Sequence, residues 1–157
     1  MPYELTLVLQ CLWAFLGSLG FGIFFNIRGK NLWFAALAGL VGWVAYLVSA
    51  GILPGAVPQS FWAGTAISLY SECMAVRRKC PVTVFLVAAM IPLVPGSTIY
   101  YTMEALLLGD MRRFVQMGLS TFEVAGAIAM GILSVSFLVR LLKSLLRRVR
   151  CRERRTQ

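Results

Sequence analysis

Ile91-Pro92-Leu93-Val94-Pro95-Gly96-Ser97-Thr98-Ile99-Tyr100-Tyr101-Thr102-Met103-Glu104 lies late in a strongly apolar run. Two prolines three apart and a glycine cannot all sit inside an undisturbed α-helix. Pro95 has no N–H to donate, and its ring disfavours helical geometry at Val94. Hydroxyls, two tyrosines and a carboxylate follow directly. The stretch reads as a helix broken where polar groups gather.

The segment before the break, from Val82 to Val94, spans 13 residues. At ~1.5 Å per residue it covers about 20 Å, too little for a hydrocarbon core of about 30 Å. Either the helix resumes after Pro95-Gly96, from Ser97 to Leu108, or the two halves form a re-entrant pair. Irregular backbone at membrane depth is tolerated only inside protein or beside water.

Working outward, the other apolar runs are long enough to cross. One runs from about Leu5 to Phe25, a second from Leu32 to Ile52, and a third from Ala56 or Phe61 to Ala75. A last one runs from Phe114 to about Leu142, longer than a crossing needs, and tilt absorbs the excess. The fold expected is an all-α polytopic membrane bundle of about five transmembrane helices, the fourth broken at Pro95-Gly96. Residues 1–142 form the membrane domain and 143–157 a basic cytoplasmic tail.

Composition agrees. Of 157 residues, 59% are hydrophobic and only 13% charged, about half the charged fraction of a soluble domain. Mean hydropathy is +0.79. Net charge is +9, but the cations fall between and after apolar runs, which indicates membrane orientation and argues against nucleic acid. Eight of the fifteen Lys and Arg lie from Arg140 onward. With the N-terminus outside, Arg28, Lys30, Arg77, Arg78, Lys79 and those eight fall inside, and only Arg112 and Arg113 outside. The positive-inside rule thus gives N-out, C-in. A four-span reading would place the basic tail outside. The amphipathic start of that tail suits anionic lipid. Met1-Pro2-Tyr3-Glu4 lacks the positive region of a secretory signal.

The four cysteines, Cys11, Cys73, Cys80 and Cys151, have no zinc-site spacing, and histidine is absent. No metal, no cofactor and no enzyme is expected. Gly17-Ser18-Leu19-Gly20-Phe21-Gly22 reads as close helix packing, since its order and context are wrong for a nucleotide loop.

Carboxylates at membrane depth are the remaining candidates, because a charge there costs at least ~2.5 kcal/mol. Glu123 shares a helical face with Gln116, Ser120, Ala127, Met130 and Ser134. That face either lines a polar pathway, with Glu123 binding a proton, a cation or an ammonium, or Glu123 pairs with Arg112 or Arg113 near the outer interface. A helix restarting at Ser97, a natural N-cap, puts Ser97, Tyr100, Tyr101 and Glu104 on one stripe. The free N–H groups there suit a carboxylate ligand. The plainer reading is a kinked, packed helix whose tyrosines belong to an interfacial belt. For Glu72 an interfacial salt bridge with Arg77 is expected.

Two strings resemble a known family. One is Gly20-Phe21-Gly22-Ile23-Phe24-Phe25-Asn26-Ile27 with Gly39-Leu40-Val41-Gly42-Trp43; the other is Ala88-Ala89-Met90-Ile91-Pro92-Leu93-Val94-Pro95-Gly96-Ser97 onward through Tyr100. Both are similar to the threonine/serine exporter family, in its short-subunit type, as in the small subunit of two-component succinate exporters. The resemblance implies an inner-membrane exporter of small carboxylate metabolites, either amino acids or dicarboxylates. It also implies a larger integral-membrane exporter subunit as partner, with an accessory, non-transporting role as the alternative. A homo-oligomer is a further possibility. Asn26, Pro92, Pro95, Gly96 and Tyr100 carry over as motif positions.

Overall fold

The computed structural model describes residues 3–153, with side chains from 5 to 145. Within that range the chain forms helices and no strands. In order they are α1 (Tyr3–Phe24), α2 (Lys30–Ala50), α3 (Ala56–Arg78), α4 (Thr83–Met90), a 3₁₀ turn (Ile91–Leu93), α5 (Gly96–Leu107) and α6 (Met111–Glu153). The helical membrane bundle expected from the sequence is the fold observed. Lipid offers the backbone no hydrogen bonds, so apolar segments close their own as helices.

Three helical stretches are long and apolar enough to cross a membrane: Leu5–Phe24, Lys30–Ala50 and Met111–Leu145. The pair Thr83–Leu93 and Gly96–Leu107, bent by 54°, makes a fourth if it is one crossing. Length and hydropathy alone therefore pick out three to four candidate spans where the sequence reading counted about five. The difference is α3, which matches the others in length, with 23 residues, but not in hydropathy. Its composition serves packing. Ser60, Ala63, Gly64, Ile67, Ser68, Ser71, Met74 and Ala75 are buried, because α3 lies between α2 and α6.

Backbones meet closely there. A Cβ on Gly64 would stand 2.7 Å from the Ile128 carbonyl oxygen, and one on Gly131 would stand 2.9 Å from the Thr65 nitrogen. Ser68 Oγ adds a hydrogen bond to the Ile132 carbonyl at 3.3 Å. Small residues at such crossings let van der Waals attraction replace the hydrophobic drive that lipid removes. On the other side of α3, Gly42 abuts Ile67, and Tyr70 Oη donates to the Phe34 carbonyl at 3.3 Å. Two core clusters result. Ala38, Ala63, Ile67, Ala89, Leu93 and Ile128 form one; Ala35, Met74, Phe85 and Ala88 form the other.

These pairings fix direction. Residues rise together along α3 and α6, so the two run parallel, while α2 runs antiparallel to α3. One end of the bundle then collects cations. Arg78 Nε donates to Asn31 Oδ1 at 2.9 Å, and its guanidinium lies 5.2 Å from the Phe34 ring centre. Lys143 Nζ donates to Glu72 Oε2 at 3.1 Å. Glu72 thus pairs across to α6 and not with Arg77, its expected partner on the same helix. The backbone of α6 continues through the change of composition at Lys143 to Glu153. The expected contact of the basic tail with anionic lipid concerns side chains beyond Leu145, outside the described residues.

Gly64→Val should lower stability by about 3 kcal/mol, since overpacking a tight crossing strains backbone against backbone. Gly17→Ala, where an added Cβ meets nothing within 4 Å, should change it by less than about 1 kcal/mol, upward. Thermal unfolding of both variants in detergent checks this.

Candidate functional site

The break has a defined construction. Ile91–Leu93 tighten into a 3₁₀ turn, and Val94 N–H donates to the Ile91 carbonyl at 3.3 Å. Val94 is extended, with ψ 127°, and Pro95 follows at φ −75°, ψ 60°. Gly96 N–H donates to the Val94 carbonyl at 2.7 Å. This is an inverse γ-turn centred on Pro95. The helix restarts at Gly96 with Pro95, not Ser97, as its N-cap residue, and no side chain caps it. Thr98 Oγ1 instead donates to the Pro95 carbonyl at 2.9 Å. Ser97 fails as the cap because the γ-turn starts the helix one residue before it.

Leu93 packs near Gly42 and joins Ile67 in the core. Gly42 is twelve residues along α2 from Lys30, so the break lies ~18 Å from the cationic end, within the apolar span.

The stripe after the break faces outward. Thr102 and Ala105 are buried, with Thr102 against Gly118 of α6. Ser97, Tyr100 and Tyr101 are exposed and Glu104 is half-buried. The tyrosine rings pack edge to face, with centroids 5.4 Å apart. The expected stripe exists as a surface of α5.

Glu123 stands apart from it. The α6 positions nearest the break are Thr121, Ala125, Ile128 and Ala129, which with Met90, Val94, Pro95 and Ile99 line a cavity of about 210 Å³. Glu123 is exposed, as are Gln116, Ser120, Met130 and Ser134. The packing of Ile128 on Gly64 places Glu123 level with the first turns of α3. Among the described residues the one ion pair is Glu72 with Lys143, so the pairing of Glu123 with Arg112 or Arg113 is not formed.

Asn26 lies toward the cationic end, about 18 Å along α1 from Ala14, whose carbonyl lies against Gly39 of α2. It has φ 57°, in the left-handed region. Its N–H donates to the Ile23 carbonyl and that of Ile27 to the Gly22 carbonyl, both at 2.9 Å. That is a Schellman stop for α1, with asparagine where glycine is commonest. Its side-chain Oδ1 accepts from Arg28 Nε at 2.9 Å.

Sequence reasoning did not single out four residues on the opposite side of the break. Gln10, Trp13 and Ala14 of α1 and Trp43 of α2 form a cup of about 280 Å³ with Pro92. The Trp43 indole nitrogen is buried without an acceptor. A glutamine inside an apolar helix was the available signal.

Asn26→Gly should keep the turn, whereas Asn26→Val should cost about 1–2 kcal/mol for a branched residue in the left-handed region; melting of the two variants tests this.

The cup, the break and the motif strings fall within one stretch of similarity. A family model described as the threonine/serine exporter, ThrE, matches residues 10–138. Comparisons with curated proteins and with solved structures gave no match. The helices long and apolar enough to span a membrane agree with that family, and the chain belongs to the threonine/serine exporter family, which consists of transporters and not of enzymes.

Proposed function

We propose that this chain is the small subunit of a two-part secondary exporter that moves small carboxylate metabolites out of the cell with a larger membrane subunit. The single observation that supports this most is the break at Pro92–Gly96, a 54° bend level with the middle of α2. A helix interrupted inside a span exposes backbone groups that are useful only beside water or ligand, and broken helices form substrate sites in several transporter folds.

The site reading follows from it. Pro92, Pro95 and Gly96 hold the break open. Ser97, Tyr100, Tyr101 and Glu104 present polar groups along α5, and Glu123 adds a carboxylate that couples to protons or meets an ammonium. Asn26 sets the α1–α2 turn that supports this frame. The outward direction of the α5 stripe and of Glu123 favours a pathway completed by a second chain. The substrate is an amino acid of the threonine/serine kind or a succinate-like dicarboxylate. The inner membrane is the setting, with the N-terminus outside and the C-terminus in the cytoplasm, as the cations gathered at one end favour.

One observation favours a second reading. Glu104 is half-buried on α5 and Glu123 exposed on α6, and neither lines the cavities beside the break. An accessory subunit that only stabilises or places its partner would use them as interhelical hydrogen bonds.

Pro95→Leu and Glu123→Gln should each cut efflux from loaded cells at least about tenfold, a barrier change of about 1.4 kcal/mol, while membrane insertion persists. Unchanged efflux in both would remove the site assignment and favour the accessory reading. For orientation, Pro54→Cys should react with an impermeant maleimide on intact cells, and Lys79→Cys only after lysis.

A further inference from the structure

Two turns meet at the cationic end of the bundle. One connects α1 to α2 and brings Arg28 and Lys30; the other connects α3 to α4 and brings Arg77, Arg78 and Lys79. The core holds them side by side. Ile27, just before Arg28, and Cys80, just after Lys79, pack against the same cluster of Ala35, Met74, Phe85 and Ala88. Arg78 Nε reaches Asn31 Oδ1 at 2.9 Å, which joins the end of α3 to the start of α2. All five cations are exposed.

These charges lack counterions. Among the residues with described side chains, Glu72 is the acid nearest this end, and Lys143 occupies it at 3.1 Å. Glu104, Asp110 and Glu123 lie toward the opposite end of their helices. The C-terminal dipole of α3 offsets about half a charge, well short of what the two turns carry. Nor does α2 help: it starts with no acid in its first turn and no side-chain cap, so its dipole adds positive potential at the same place.

Two of the cations are also aimed. Asn26 Oδ1 holds Arg28 Nε and Asn31 Oδ1 holds Arg78 Nε, each at 2.9 Å. The Arg78 guanidinium is braced further by the Phe34 ring, 5.2 Å away. Among the described residues neither arginine makes another side-chain hydrogen bond. An arginine fixed at Nε keeps its Nη nitrogens for a planar grip on phosphate, which lysine cannot make.

Depth selects the source of the phosphate. Phe24 ends α1 and Trp33 lies in the first turn of α2, and they are 80% and 60% exposed. Exposed aromatic rings at the ends of spans mark the headgroup level. Cations just beyond them meet the bilayer's own phosphates, and basic pockets between membrane helices bind anionic headgroups.

We propose that Arg28 and Arg78, ringed by Lys30, Arg77 and Lys79, bind the headgroup phosphate of an anionic phospholipid between the α1–α2 and α3–α4 turns. Bound there, the lipid neutralises both turns and bridges them. The site is built from residues other than the basic tail, and it stands whether or not the chain exports.

The test is native mass spectrometry of the purified full-length chain, delipidated in detergent and titrated with phosphatidylglycerol, phosphatidylcholine or glycerol 3-phosphate. The parent should bind phosphatidylglycerol about tenfold more tightly than phosphatidylcholine, which brings its own cation. Glycerol 3-phosphate should bind at least about tenfold more weakly than phosphatidylglycerol, since it has no acyl chain to place in the bilayer. Arg28→Gln and Arg78→Gln should each weaken phosphatidylglycerol about tenfold, as loss of hydrogen bonds to a charged group implies. Arg28→Lys combined with Arg78→Lys keeps the charge, removes the fork, and should weaken binding by about as much as one glutamine variant. Asn31→Leu keeps every cation but frees Arg78, and should cost about threefold through lost preorganisation. Arg112→Gln combined with Arg113→Gln removes two charges from the opposite end and should leave binding unchanged. Equal loss in that control pair, or parent-like binding by the lysine pair, means attraction by charge alone and overturns the site. Phosphatidylcholine or glycerol 3-phosphate bound as tightly as phosphatidylglycerol overturns the anionic lipid as its occupant. If melting shows a glutamine variant to be unfolded, the lysine pair decides.

Discussion

Backbone meets backbone where α3 crosses α6, and the rest of the arrangement depends on that approach. Gly64 lies against the Ile128 carbonyl and Gly131 against the first turns of α3. Because neither side has a Cβ to slide past, the register is held within a fraction of a turn. From it follow the parallel course of α3 and α6 and the gathering of Arg78 and Lys143 at one end. The same closeness explains why α3 has low hydropathy. A helix that packs through serine, alanine and glycine gives up apolar surface that it never shows to lipid.

The break is the second constraint, and it is local. Pro95 closes an inverse γ-turn, so Gly96 begins a new helix at a new angle. Packing Leu93 into the core with Ile67, Ala38 and Ala89 anchors the first half, while the second half rests chiefly on α6 through Thr102 and Ala105. The two halves therefore belong to different neighbours, which is why the tyrosine stripe and the Trp43 cup open on different sides of one bend.

Much of this was legible in the sequence because it depends on short spacing. The break, the apolar runs and the cationic loops each need only neighbours in the chain. The Ser97 cap was misread because the γ-turn at Pro95 restarts the helix one residue earlier, a matter of backbone angles that composition does not reveal. Glu72 was assigned to Arg77 by proximity in sequence, but the partner 71 positions away stands beside it once α3 and α6 lie parallel. Gln10 and Trp43 were missed for the same reason. Each is an ordinary residue on its own helix, and the cup arises only when α1, α2 and the 3₁₀ turn meet.

A chain this size must also account for polar groups that it leaves outside. Tyr100 is 65% exposed, and Glu123 and Ser120 point away from every helix of the bundle. An unaccompanied bundle would gain by replacing them with leucine, since a carboxylate facing lipid is costly. Their presence is economical only if the outward face meets water or another protein's polar groups.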